Sequence, residues 1–134
     1  MTTSQIALIK KTWRNFRSID PELIGEVFYS RLFSKHPRLQ TMFVSPMNEQ
    51  SAKLINMLTM MVTRLERFDE ITDDIKQLAI RHVGYGVKPA HYQAVGEALL
   101  WTLEKGLGND WNDEVKEAWA ACYNSIAETM MAAT

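Results

Sequence analysis

A histidine one helical turn after a leucine, with two glycines close behind it, is the feature of this chain best suited to chemistry. His82 follows Leu78 by four positions and so shares a helical face with it, while Gly84 and Gly86 stop that helix within a turn. The imidazole is thereby presented at a helix end over an apolar floor. One nitrogen of such a ring can ligate a metal while the other donates to a carbonyl or side chain that fixes its orientation. Taken alone, a helical histidine is more often a satisfied core or surface residue than a ligand. Two more polar residues stand where apolar ones are expected. Tyr29 lies among the aromatic and branched residues of its helix, and Gln50 lies one turn before Leu54 on a face that otherwise turns inward. Each has an ordinary explanation, a ring buried with its hydroxyl in water or an amide in exposed first turns. Together they offer a hydroxyl donor and an amide donor opposite a helix-borne imidazole, which suits a small diatomic ligand on a metal.

Helices must position all three. Apolar residues recur with a period of 3.6, and no convincing alternation of strands appears. The fold class is therefore all-α, with seven to eight helices of mixed length. A first helix runs from about Ser4 to Ile19 with Ile6, Ile9, Trp13 and Phe16 on one stripe. Asp20-Pro21 caps and restarts the chain for a second, which carries Ile24, Val27, Phe28, Tyr29, Leu32 and Phe33 until His36-Pro37 breaks it. A short turn spans Pro37 to Phe43, and Ser45-Pro46 opens a third helix bearing Gln50, Leu54, Met57 or Leu58, and Met61 on one face. The polar stretch Glu66 to Asp74 reads as a separator before a short helix that ends in His82. Lys88-Pro89 begins a long helix with Tyr92, Val95, Leu99 and Leu103 inward, closed by Gly106 to Asn109. Asn112 caps the last helix, which buries Val115, Trp119, Cys122, Tyr123, Ile126 and Met130. Prolines cut the chain too unevenly for an up-down four-helix bundle.

Length and charge bound the function. At 134 residues the chain forms one domain, residues 1–134. Fifteen basic against sixteen acidic side chains leave no electrostatic footprint for nucleic acid or an anionic membrane. The single cysteine, Cys122, excludes an internal disulfide and any zinc spacing, and reads as a small apolar residue. The N-terminus lacks a signal pattern, and Leu54 to Val62 is too short to span a bilayer, so a cytoplasmic location is expected. His36 reads as a cap or a solvated residue, and His91 as facing water.

The ordered set Phe28-Tyr29-x-x-Leu32-Phe33-x-x-His36-Pro37, Phe43, Gln50-x-x-Lys53-Leu54, His82-x-x-Tyr85-Gly86-Val87, His91-Tyr92-x-x-Val95-Gly96-x-x-Leu99-Leu100 and Ala118-Trp119-x-x-x-Tyr123 resembles the globin family. It is most similar to bacterial single-domain haemoglobins and to the globin domain of flavohaemoglobins, over nearly the whole chain. The resemblance implies a globin fold enclosing a haem pocket, with His82 as proximal iron ligand and Phe43 stacked on the haem. Tyr29 and Gln50 match the distal donors of the bacterial branch, and Leu54 matches the apolar distal residue one turn on. Leu78, Val87, Tyr92 and Val95 match positions lining the proximal side and the haem edge, and Lys53 a propionate partner.

The implied cofactor is haem b, held noncovalently since no Cys-x-x-Cys-His motif exists. The implied ligands are oxygen, nitric oxide and carbon monoxide. Reversible oxygen binding leads; nitric oxide dioxygenation with a separate reductase is the alternative. In flavohaemoglobins a tyrosine and a late-helix glutamate form a relay to the ligand histidine. His82 and Tyr92 match its first two members, whereas the glutamate position falls past Thr134 and Glu128 stands well short of it.

Overall fold

Each helix buries one stripe, and the packing of those stripes decides where the unusual polar residues end up. The computed structural model describes residues 1–43, 45–84 and 86–133. Val44, Tyr85 and Thr134 lie outside the described residues, Tyr85 being one member of the motif around His82. Six α-helices are present: α1 (Thr3–Phe16), α2 (Pro21–Lys35), α3 (Met47–Thr63), α4 (Phe68–Gly84), α5 (Pro89–Leu107) and α6 (Asp113–Ala132). With the six-residue 3-10 helix Pro37–Met42 they make seven, and shorter 3-10 turns at Leu65–Arg67 and Gly108–Asp110 complete the described helical structure. Among the described residues there is no strand, and no helix is long and apolar enough to cross a membrane.

Caps explain most of the boundaries. The Thr2 hydroxyl accepts from the Gln5 backbone N–H at 3.1 Å while the Gln5 side chain accepts from the Thr2 N–H at 2.9 Å, a reciprocal cap that starts α1. The Asp20 carboxylate accepts from the Glu22 N–H at 3.0 Å ahead of Pro21, as the sequence predicts. Asn112 does the same for Val115 at 2.9 Å. Two boundaries differ from the sequence reading. α1 ends at Phe16 because the chain tightens there: the Ile19 N–H reaches back only to the Phe16 carbonyl, at 3.1 Å. α4 is not short. It begins at Phe68 and runs 17 residues, because Ile71, Ile75 and Ala79 bury a stripe at spacing four that outweighs the polar residues between them. Asp69 and Glu70 favour its N-terminal turn electrostatically.

α2 packs across α3 and α5, while α6 packs against α1 and α4. Where α1 meets α6 the buried polar side-chain atoms are paired. The Trp119 indole donates to the Thr12 hydroxyl at 2.9 Å, and that hydroxyl donates to the Leu8 carbonyl at 2.7 Å. The Trp13 indole likewise donates to Thr59 at 3.2 Å, and Thr59 donates to the Ile55 carbonyl at 2.7 Å. The two indoles lie 5.8 Å apart. On the outer face, Arg31 ion-pairs with Glu97 at 2.6 Å and covers the Trp101 ring at 4.8 Å, tying α2 to α5.

Candidate functional site

His82 sits in the last turn of α4, and its Nδ1 lies 2.7 Å from the Leu78 carbonyl oxygen. A carbonyl only accepts, so Nδ1 carries the proton, and in a neutral ring the lone pair resides on Nε2. The bond that orients the ring therefore also selects a tautomer able to ligate a metal through Nε2. Chain reversal follows at once. The Val87 N–H donates to the His82 carbonyl at 3.0 Å and the Gly86 N–H to the Val83 carbonyl at 2.9 Å. Gly86 makes this possible at a φ of 86°, a left-handed conformation that favours glycine. Leu78, His82 and Val87 are thus brought together at one helix end, all half-buried.

Tyr29, Phe43 and Gln50 form the second grouping. The Tyr29 ring meets Phe28 edge-on at 4.9 Å and Phe43 at 5.2 Å, and stacks on Phe33 at 5.8 Å. Held on three sides, it directs its hydroxyl at the Gln50 backbone carbonyl, 3.4 Å away at the long limit of a hydrogen bond. Burial pushes the Tyr29 phenol up to about 12, so it is a neutral donor at physiological pH. Leu54 is half-buried one turn beyond Gln50, and Lys53 beside it is exposed. Phe33 belongs to this aromatic group although its role was not legible from the resemblance; its spacing of four from Tyr29 was the available signal.

On α5, Tyr92 and Val95 are half-buried against the core. The Tyr123 hydroxyl donates to the Tyr92 carbonyl at 2.5 Å, and burial raises both phenols, Tyr123 the more strongly. His91 departs from expectation. Its Nδ1 accepts from the Lys88 N–H at 3.0 Å, so it caps the start of α5 instead of merely facing water. His36 is exposed at the end of α2.

Glycine placement was the signal that sequence reading missed. Gly25 is buried in the middle of α2, where a glycine weakens a helix and calls for a packing reason. A Cβ there would lie 1.8 Å from the Ser51 hydroxyl oxygen, so α2 and α3 cross nearly in contact one turn before Tyr29 and next to Gln50.

The donor set fits haem. A half-buried imidazole of fixed tautomer stands with apolar neighbours, and Phe43, Leu54, Leu78, Tyr92 and Val95 are all half-buried side chains packed on the core. Among the described residues no group of three or more His, Cys, Asp or Glu could hold a bare metal ion. An iron whose other donors come from a macrocycle matches a lone histidine.

Residues 26–130 match the family described as Globin. An uncharacterized globin-like protein of Aquifex aeolicus is 32% identical over 131 residues, covering 98% of this chain and 92% of its own. A flavohemoprotein of Oceanobacillus iheyensis is 31% identical and covers 96% of this chain but 34% of its own, so the chain spans about a third of that relative's length. Among solved structures, a bacterial globin from Campylobacter jejuni superposes with a TM-score of 0.83 at 26% identity, covering 98% of this chain and 95% of that one. By its all-helical fold, the family match over most of its length and these relatives, the chain belongs to the globin family.

Proposed function

We propose that residues 1–134 form one globin domain that holds haem b noncovalently on His82 Nε2 and reversibly binds oxygen and other diatomic ligands. The observation that carries this reading is the 2.7 Å contact between His82 Nδ1 and the Leu78 carbonyl, with its consequence for the tautomer. When bound, haem supplies an iron that takes up diatomic gases and exchanges electrons. The chain's residues do the rest. Phe43 would stack on the macrocycle; Leu54, Leu78, Val87, Tyr92 and Val95 would keep water from it; Lys53 would pair with a propionate. Tyr29 and Gln50 would supply donors to a bound ligand that carries partial negative charge, favouring oxygen over carbon monoxide. Cytoplasmic residence accords with a single, buried cysteine that has no partner for an internal disulfide.

A second reading is nitric oxide dioxygenase activity, in which oxygen and nitric oxide combine to nitrate and a separate reductase supplies one electron per turnover. Similarity to flavohemoproteins supports it. Titration with haemin, reduction, and cycling between oxygen and vacuum tests the first reading: one equivalent bound and repeatable oxygen-dependent spectra are expected. Irreversible oxidation at the first exposure to oxygen would overturn it. Adding nitric oxide and NADH with and without a reductase then tests the second, with sustained nitrate production expected only when the reductase is present.

A further inference from the structure

We propose that Gly25 and Ser51 are positioning residues for the distal pair: the near-contact of α2 and α3 at these two positions sets where the Tyr29 hydroxyl stands relative to Gln50. The proposal rests on the haem reading for its functional meaning, but its geometry does not. A Cβ on Gly25 would lie 1.8 Å from Ser51 Oγ, 2.2 Å from Ser51 Cβ and 3.0 Å from Ser51 Cα. The first contact could be relieved by rotating a side chain; the last two cannot, because Cβ and Cα move only with the helix. Ser51 is also held from its own side, since it is 2% exposed and its hydroxyl donates to the Met47 carbonyl at 2.8 Å. An extra methyl at position 25 must therefore push the two helices apart by more than about 1 Å, since ordinary carbon–carbon contact begins near 3.4 Å and the Cβ of Ser51 would stand at 2.2 Å.

Tyr29 lies one turn from Gly25 on the same helical face, and Gln50 is the residue preceding Ser51, so both ends of the distal pair ride on this crossing. The contact between them, 3.4 Å from the Tyr29 hydroxyl to the Gln50 carbonyl, has no slack to absorb a separation. Gly25 thus acts on ligands only through Tyr29 and Gln50. The molecule also contains a matched steric control. A Cβ on Gly106 of α5 would lie 2.4 Å from the Phe16 ring of α1, a comparable insult at a different helix crossing.

The test compares Gly25→Ala, Gly106→Ala and the double variant Gly25→Ala/Ser51→Gly with the parent chain. In the haem-loaded proteins the C–O stretching frequency of the ferrous carbon monoxide form reads the donors near the ligand, and oxygen release reads their strength. Gly25→Ala is expected to shift the stretch toward that of Tyr29→Phe and to speed oxygen release by roughly threefold or more. Moving the small residue to the other helix in the double variant should return both values toward the parent. Gly106→Ala should lower the melting temperature and leave both values unchanged. Parent-like values in folded Gly25→Ala, or an equal shift in Gly106→Ala, would overturn the proposal. Should Gly25→Ala fail to fold, the double variant decides: parent-like values support the assignment, and values displaced as far as those of Tyr29→Phe sink it. Should the parent chain take up no haem, the haem reading fails by itself. The positioning claim is then read from the NMR signal of the Tyr29 ring in the chain as purified, identified by its loss in Tyr29→Phe. It should move in Gly25→Ala and return in the double variant; a signal unmoved by Gly25→Ala counts against it.

Discussion

Two aromatic groups of this molecule are buried in opposite ways. Where α1, α3 and α6 meet, Trp13 and Trp119 are each almost wholly buried, and each indole N–H ends on a threonine hydroxyl that is itself bonded to a carbonyl. Around Tyr29, the side chains of Phe33, Phe43 and Leu54 stop half-buried and the tyrosine hydroxyl holds its carbonyl at the long limit of a bond. At the end of α4, Leu78 is half-buried and its carbonyl orients the His82 ring through Nδ1. A saturated network stabilises the core, whereas a hydroxyl whose bond lies at the long limit can turn to a second partner. On the proposed reading, stability and ligand binding rest on different groups of aromatic residues.

The sharpest way to break this contrast is from the saturated side. Trp119→Ala should cost about 3–5 kcal/mol in denaturant unfolding, through the lost burial of a large ring and the loss of its bond to Thr12. The haem spectrum of whatever fraction stays folded should be unchanged. His82→Ala should do the reverse. Without haemin its stability should match the parent within about 1 kcal/mol, whereas the parent alone should gain on adding haemin, by about 2.7 kcal/mol at a free concentration one hundred times its dissociation constant.

Tyr29→Phe keeps the ring cluster and removes one donor, so oxygen dissociation should quicken about tenfold, equivalent to ~1.4 kcal/mol, with carbon monoxide dissociation changing less. The same residue gives a pH dependence of known sign. Burial raises the folded-state phenol from 10.0 to about 12, so its contribution is fully present below pH 10 and is lost as pH rises toward 12. Alkaline unfolding followed by circular dichroism should accordingly be less steep in Tyr29→Phe over that window. The smallest effect belongs to Lys53→Ala. An exposed propionate pair should change haem affinity by less than about 1 kcal/mol, measured by haem transfer to an acceptor globin.

What the chain discloses before folding follows the same division. The stripes of α1, α2, α5 and α6, the caps at Asp20 and Asn112, and the setting of His82 are local patterns, and they read correctly. The start of α4 was hidden because acidic residues crowd its exposed face, and only tertiary packing of Ile71 and Ile75 reveals it as helix. Thr12 sits beside Trp13 with no periodic signal of its own; its bond to Trp119 spans 107 positions. Gly25 and Ser51 are likewise informative only as a pair across two helices. His91 gave no hint of its capping bond, since a histidine near a proline can equally face water.

The division between the two groups depends above all on His82 being the ligand. His82→Gly leaves a space the size of its ring, and free imidazole can then take the place of the side chain. Haemin titrated into the parent should give a one-equivalent Soret band, His82→Gly should fail to retain it, and added imidazole should restore the band to His82→Gly. A parent-like band in His82→Gly without imidazole, or no band in the parent, would contradict the assignment.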